Sequence, residues 1–290
     1  MSEIVPRPFL KWAGGKGQIL DDIDNSMPLH FERYFEPFVG GGAVFFHLWR
    51  KGFRGKAFLS DLNEDLMITY QTVRDSVEKL IKELRNGKYE SEKDTFYDIR
   101  AWDQRPGWSK VGPVRRTART IYLNRTCYNG LYRVNQAGHF NVPFGRYENP
   151  TICDEENLRA VSEALQIAEL GRVDFGEAVR AAKRGDFVYF DPPYQPLSET
   201  AYFTEYTAEG FGEEEQARLA QVFRELHERG CLVLQSNSSH KLIRDLYSDS
   251  DFVIESVRAK RAISCDPAGR GEIEELLIRN YRETAQQRLI

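Results

Sequence analysis

Apolar positions along the chain fall into short runs that alternate with helical stripes. Residues 33–38 form an apolar-aromatic run that ends in Val39-Gly40-Gly41-Gly42, and a helical stretch, 43–50, follows. Residues 57–60 are a second run, stopped by Asp61; residues 187–190 are a third, stopped by Asp191-Pro192-Pro193-Tyr194. Residues 231–234 and 252–257 are further strand candidates. Between the third run and these, 213–229 is helical, with Ala217, Ala220, Phe223 and Leu226/His227 on one stripe and Gly230 as the stop. Strands alternating with helices predict an α/β, doubly wound sheet whose ligands sit at the carboxyl ends of the strands. The glycine run and the Asp-Pro-Pro-Tyr turn both stand at such ends. Residues 67–150 differ, being helical with long polar loops and without strand-like runs. They read as an inserted helical domain that splits the sheet domain into 1–66 and 151–290.

Composition and charge narrow the function. The chain has 290 residues, 41% hydrophobic and 29% charged, enough for a large core and too apolar for wholesale disorder. No run approaches the ~18 apolar residues of a spanning helix, and an N-terminus carrying Glu3, Arg7 and two prolines is no signal peptide, so a cytoplasmic protein is expected. The four cysteines, 127, 153, 231 and 265, lack CxxC spacing and read as reduced thiols; the five histidines form no HxxxH pair, and no metal is expected. Net charge is −4, yet residues 100–147 hold nine Arg/Lys against one acid, Asp103. A segment of +8 in an acidic chain suits a polyanion contact as well as it suits a solvated Arg-rich face.

Three motifs carry candidate chemistry. Glycines after a strand let the backbone approach a ligand closely, and an acid ending the next strand can hold ribose hydroxyls. Gly40 to Gly42 with Asp61, 19 residues beyond Gly42, therefore suit a nucleoside cofactor, NAD and S-adenosylmethionine (AdoMet) alike; a tight turn plus a helix-capping Asp is the reading without a ligand. Lys11-Trp12-Ala13-Gly14-Gly15-Lys16 fails the P-loop spacing. It suits a carboxylate between two lysines and a Trp12 shield over a sulfonium, or else a flexible arm with a packing Trp. In Asp191-Pro192-Pro193-Tyr194, two prolines fix the backbone and remove two donors, leaving carbonyls free to accept. A carboxylate, a rigid carbonyl and an aromatic face together suit a planar exocyclic amine: the Asp191 carboxylate and the Pro192 carbonyl take its two N–H bonds, and Tyr194 stacks on the ring, worth ~1–3 kcal/mol. A plain strand-end turn is the rival reading.

KWAGGK, EPFVGGGAVFF, SDLN and VYFDPPY occur in that order, with YLNRTCYNGLYRVN and FNVPFGRY before the last. With PLSETAYFTEYT (196–207) and the segment 258–275, they resemble the DNA adenine methylase family of N6-adenine methyltransferases over residues 8 to 281. The resemblance implies an AdoMet-dependent methyltransferase (Rossmann-like) mixed sheet with an inserted target-recognition domain, 67–150. It places Trp12, Lys16, Phe38, Gly40, Gly42, Asp61, Asp174, Phe175 and Asp191 at AdoMet, and Asp191, Pro192, Pro193 and Tyr194 at the reacting amine. Lys11, Tyr128, Asn129, Leu131, Arg133, Pro143, Arg146 and Tyr147 match DNA-reading positions. Of these, Arg133 suits a bidentate guanine contact, and Leu131 and Pro143 suit a thymine methyl. Tyr132 stands where family members often carry Cys. Ordinary packing is the other reading of the insert: Tyr122 and Tyr132 suit a core and Asn124 and Asn135 suit turn caps, whereas Tyr128, in an Asn/Gly-rich loop, is hard to bury.

The implied reaction flips an adenine out of duplex DNA, probes a GATC-like site, and lets N6 attack the AdoMet methyl in line, leaving S-adenosylhomocysteine, with no covalent intermediate. Alignment of the reactants can supply ~7–11 kcal/mol of the acceleration. The expected partner is double-stranded DNA, without a membrane. A monomer is the default, and a cognate restriction endonuclease is a companion that the sequence does not decide. Rivals are an N4-cytosine methyltransferase, an RNA adenine methyltransferase, an NAD-linked oxidoreductase and a catalytically idle DNA-binding module.

Overall fold

The computed structural model describes residues 4–195, 211–260 and 272–282; the family-like stretch 196–207, Cys265 and most of 258–275 lie outside them. The elements run α1 (Leu20–Ser26), β1 (Arg33–Glu36), α2 (Ala43–Arg50), β2 (Lys56–Ser60), α3 (Glu64–Leu84), α4 (Lys93–Arg100), α5 (Pro113–Thr126), α6 (Glu155–Ala164), β3 (Ala168–Gly171), α7 (Phe175–Ala178), β4 (Phe187–Phe190), α8 (Glu213–Glu228), β5 (Leu232–Ser238), α9 (Lys241–Leu246), β6 (Val253–Lys260) and β7 (Glu272–Arg279). Contacts divide the chain into two compact units. The first comprises Met1–Gly15, Gly40–Arg54 and Asp61–Arg172; the second comprises Lys16–Val39, Gly55–Ser60 and Val173–Ile290.

The second unit holds six strands in the order β2-β1-β4-β5-β7-β6. β2, β1, β4 and β5 are parallel, and β7 runs antiparallel between β5 and β6. The order reverses between β1 and β4, which is the switch point where doubly wound sheets bind ligands. Phe187 to Phe190 are all fully buried, as a central parallel strand covered on both faces requires. The core under this strand packs Phe35, Phe175, Val188, Phe190, Leu219, Phe223, Val233 and Ile278. Apolar burial of each large side chain contributes about 1.5–3 kcal/mol. The stripe of α8 is Gln216, Leu219, Ala220, Phe223 and Leu226. It shares Ala220, Phe223 and Leu226 with the expected stripe, whereas Ala217 is exposed and Gln216 and Leu219 are buried in its place; the polar Gln216 turns inward because buried partners await its amide.

The first unit is helical and carries β3. Three of its helix starts have a local cause. Asn63 caps α3 by accepting from Leu66 N, and Asp154 caps α6 by accepting from Asn157 N. Pro113 opens α5, where a missing N–H costs nothing. The expected boundary at 66/67 falls inside α3. That helix bends at Ser76 (φ −147°, ψ 34°), where the Arg74 carbonyl accepts instead from Ser162 Oγ at 3.1 Å and Gln166 Nε2 at 3.0 Å. No described helix is long and apolar enough to cross a membrane.

Candidate active site

In the second unit, the turn after β4 is anchored atom by atom. The register pairs Phe190 with Gln235, which puts Asp191 beside Ser236. The Asp191 carboxylate accepts from Ser236 Oγ at 3.0 Å and pairs with Lys16 Nζ at 2.7 Å. Tyr189 and Ser236 hydroxyls bond at 2.9 Å. Lys16 is buried, and its ammonium also lies 4.5 Å from the Tyr194 ring centre. The Tyr194 hydroxyl donates to Glu275 Oε2 at 2.7 Å. Burial pushes the Asp191 carboxyl above its ordinary range, while Lys16 and Ser236 pull it back. Burial, with the charges of Asp191 and Glu275, pushes the Tyr194 phenol well up and keeps it a donor.

The Pro193 carbonyl accepts from Gln216 Nε2 at 2.9 Å, and Gln216 Oε1 accepts from Asn237 Nδ2 at 3.0 Å. Ser238 Oγ donates to the Gln195 carbonyl at 2.8 Å. Gln216 and Asn237 are wholly buried. Pro193 O is thus committed to the scaffold. Ser236, Gln216 and Asn237 carry no sequence signal beyond the polar run Ser236-Asn237-Ser238 that ends an apolar strand, and Glu275 stands out only as the end of the family-like segment 258–275. Also in this unit, Phe38 packs on Phe175, centroids 5.4 Å apart. Asp174 caps α7 through Gly176 N and is clamped by Arg218 at 2.8 and 2.6 Å, which holds its carboxyl below the usual range.

In the first unit, Gly40 and Gly42 have φ of +45° and +71°. A Cβ at Gly40 would lie 2.8 Å from Trp12 Cδ1, and one at Gly42 would lie 2.6 Å from the Tyr70 hydroxyl. Both positions therefore need glycine, whereas Gly41 meets nothing closer than 3.5 Å. Asp61 fastens this loop: Oδ2 accepts from Gly40 N at 3.2 Å and Oδ1 from Asn63 N at 3.0 Å. Burial raises its carboxyl and those backbone donors lower it. The helix cap falls to Asn63, not to Asp61. Tyr70 completes the loop by donating to Gly40 O at 3.0 Å.

The DNA-reading candidates lie together in this same unit. Tyr128 is 53% exposed, and its N–H donates to Pro143 O at 2.8 Å. Asn129 and Arg146 take positive φ, 56° and 55°. Arg133 Nε donates to Asn141 Oδ1 at 2.6 Å, and Asn141 N donates to Arg133 O at 3.0 Å, so the outer edge of the exposed guanidinium is presented by a short hairpin. Asn135 holds the hairpin tip, accepting from Ala137 N and His139 N. Lys11 Nζ lies 4.9 Å from the Tyr147 ring centre. Tyr122 is core, as expected. Asn124 caps no turn; it sits within α5 and binds the Lys11 backbone.

A sheet reversed at β1/β4, with an acceptor-rich turn at one strand end and a glycine loop after the other, is a Rossmann-like fold of the methyltransferase class. The family model described as D12 class N6 adenine-specific DNA methyltransferase matches residues 12–263, and the chain belongs to that family: it is an adenine-specific DNA methyltransferase. It is 44% identical to "Type II methyltransferase M1.LlaDCHI" of Lactococcus lactis subsp. cremoris, over 95% of each chain. It is also 44% identical to "Type II methyltransferase M.MjaIII" of Methanocaldococcus jannaschii, over 95% of this chain and 99% of that one. Identity to "DNA adenine methylase" of Escherichia coli (strain K12) is 37%, over 93% of this chain and 94% of that one.

Proposed function

We propose that the enzyme takes its methyl group from AdoMet and places it on N6 of an adenine swung out of duplex DNA, within GATC, working as a cytoplasmic monomer bound to DNA. The observation that carries this reading is the pair of acceptors after β4, the Asp191 carboxylate and the Pro192 carbonyl, with Pro193 O tied to Gln216. An exocyclic amine is a poor nucleophile because its lone pair is delocalised into the ring. Two acceptors on its two hydrogens turn that lone pair outward, and the Asp191 charge stabilises the positive charge that develops on nitrogen. Tyr194, its hydroxyl held by Glu275, supplies the ring on which the base stacks. AdoMet, when bound, supplies an electrophilic methyl on a sulfonium. The residues present fit such a donor. Only glycine can stand against Trp12 at position 40, which leaves the backbone bare beside an indole, and Asp61, Lys16, Phe38, Gly42, Asp174 and Phe175 complete the AdoMet set.

Recognition falls to residues 67–150 with Lys11: Arg133 reads guanine, Leu131 and Pro143 meet a thymine methyl, Tyr128 and Asn129 fill space beside the extruded base, and Arg146 and Tyr147 touch the backbone or flanking bases. The "Type II" names of two relatives favour a restriction–modification setting with a cognate endonuclease. The test is methylation of a short duplex panel, GATC and its single-base variants, with the modified atom mapped. Transfer to adenine N6 in GATC alone is expected, and Asp191→Ala is expected to abolish it while DNA binding persists. Methyl on cytosine N4, or wild-type turnover by Asp191→Ala, would overturn the reading.

A further inference from the structure

Within the first unit, the arm that carries Trp12 is fastened to the loop that carries the DNA readers. The Trp12 and Tyr132 rings stack with centroids 5.2 Å apart and planes at 27°. The other side of Tyr132 meets the edge of Phe140 at 5.8 Å, and its hydroxyl donates to Asp65 Oδ2 at 3.0 Å, in the first turn of α3. A second fastening lies one residue back. Asn124 accepts from Lys11 N at 2.8 Å and donates to Lys11 O at 2.7 Å and to Gly130 O at 3.0 Å. Gly130 has φ +65°, and a Cβ there would collide with the Lys11 side chain. Lys11-Trp12 is therefore gripped by residues between 124 and 132, on either side of the stretch that presents Tyr128, Asn129 and Leu131, and next to Arg133.

We propose that Tyr132 is a positioning residue that couples the two ligands: DNA seated on the reading loop fixes Tyr132, Tyr132 fixes Trp12, and AdoMet and DNA each tighten the binding of the other. This rests on the function proposed above, with Trp12 at AdoMet and Leu131 and Arg133 at DNA. The physical basis is that ordering one segment for the first ligand removes an ordering cost from the second, and such coupling is reciprocal.

The test measures the affinity of S-adenosylhomocysteine, which cannot react, with and without a short GATC duplex, and takes the ratio. That ratio is unaffected by any change a substitution makes to one affinity alone. The wild type is expected to show a ratio of about five-fold or more. Tyr132→Leu, which removes the stacked ring, is expected to bring it close to one. Tyr132→Phe, which keeps the ring and loses only the bond to Asp65, is expected to retain it; a thermal melt of each variant accompanies the titration. A wild-type ratio of one, an unchanged ratio in Tyr132→Leu, or equal loss in Tyr132→Phe would overturn this inference alone. Failure of the wild type to bind either ligand would overturn the functional reading, and this inference with it.

Discussion

Under the proposed chemistry, Asp191 is where single side chains decide the reaction. Its carboxyl is pushed up by burial and drawn down by the Lys16 ammonium and the Ser236 hydroxyl. An acceptor for an amine must be ionised, so the acidic limb of the rate profile is expected to follow this group. Ser236→Ala removes a bond to the charged form, so the carboxyl rises further and activity is lost at a higher pH on acidification. A hydrogen bond to a charge is worth about 1.5–3 kcal/mol, which moves the limb of kcat upward by roughly one to two pH units. A limb that stays in place would count against Asp191 ionisation as the controlling event. At this scale the sequence was partly legible. Asp191 announces itself because two prolines follow it, and Gly40 and Gly42 because they stand after a strand. Ser236, Asn124 and Tyr132 do not, since their partners lie 45, 113 and 67 residues away along the chain, and only the fold brings them together.

Elements show the same division. β1, β2, β4 and β5 were readable as apolar runs because parallel strands are buried on both faces. β3, only four residues with an exposed Glu169, carries no such run, and β7 confines its run to Leu276-Leu277-Ile278 behind Glu272, Glu274 and Glu275. Helix α8 was readable in extent, ending one residue before the expected Arg229, and in most of its inward face, Ala220, Phe223 and Leu226; Ala217 is exposed and Gln216 was missed because an apolar count skips it. That glutamine joins α8 to the turn after β4 and to β5. Gln216→Leu keeps the volume and strands the buried Asn237 Nδ2, at about 1–3 kcal/mol, together with the part-buried Pro193 O. The urea midpoint should fall accordingly, with transfer impaired; an unchanged midpoint would mean the amide bonds are dispensable.

For the whole molecule, the question is where the positive charge resides. Nine Arg/Lys in residues 100–147 suggested a polyanion surface, but the fold uses several internally. Arg119 is buried in an ion pair with Asp103 at 2.7 Å and bonds the carbonyls of Ile99 and Arg100. Arg116 pairs with Glu64 and Asp65, and Arg125 donates to Phe9 O. Arg105, Lys110, Arg115, Arg133 and Arg146 are exposed. The lone acid of the segment also accepts from Phe140 N at 3.0 Å, so it supports the reading hairpin as well as Arg119. With the exposed Arg146 on a phosphate, one of the two contacts proposed for it, Arg146→Gln should reduce the slope of log affinity for DNA against log salt by about 0.9. Arg119→Gln should leave that slope alone and cost about 3–5 kcal/mol in stability by stranding Asp103; a flattened slope in Arg119→Gln would show that it faces DNA after all. Turnover, finally, inherits a consequence from the oxygen that Gln216 takes out of use. With one proline oxygen spoken for, the corner as proposed grips an incoming NH2 at two points, Asp191 and Pro192. Once a hydrogen has been exchanged for CH3, a single point of grip remains, so under the proposed chemistry the same geometry that seizes the unmodified base loosens its hold on the finished one and leaves a second addition without footing.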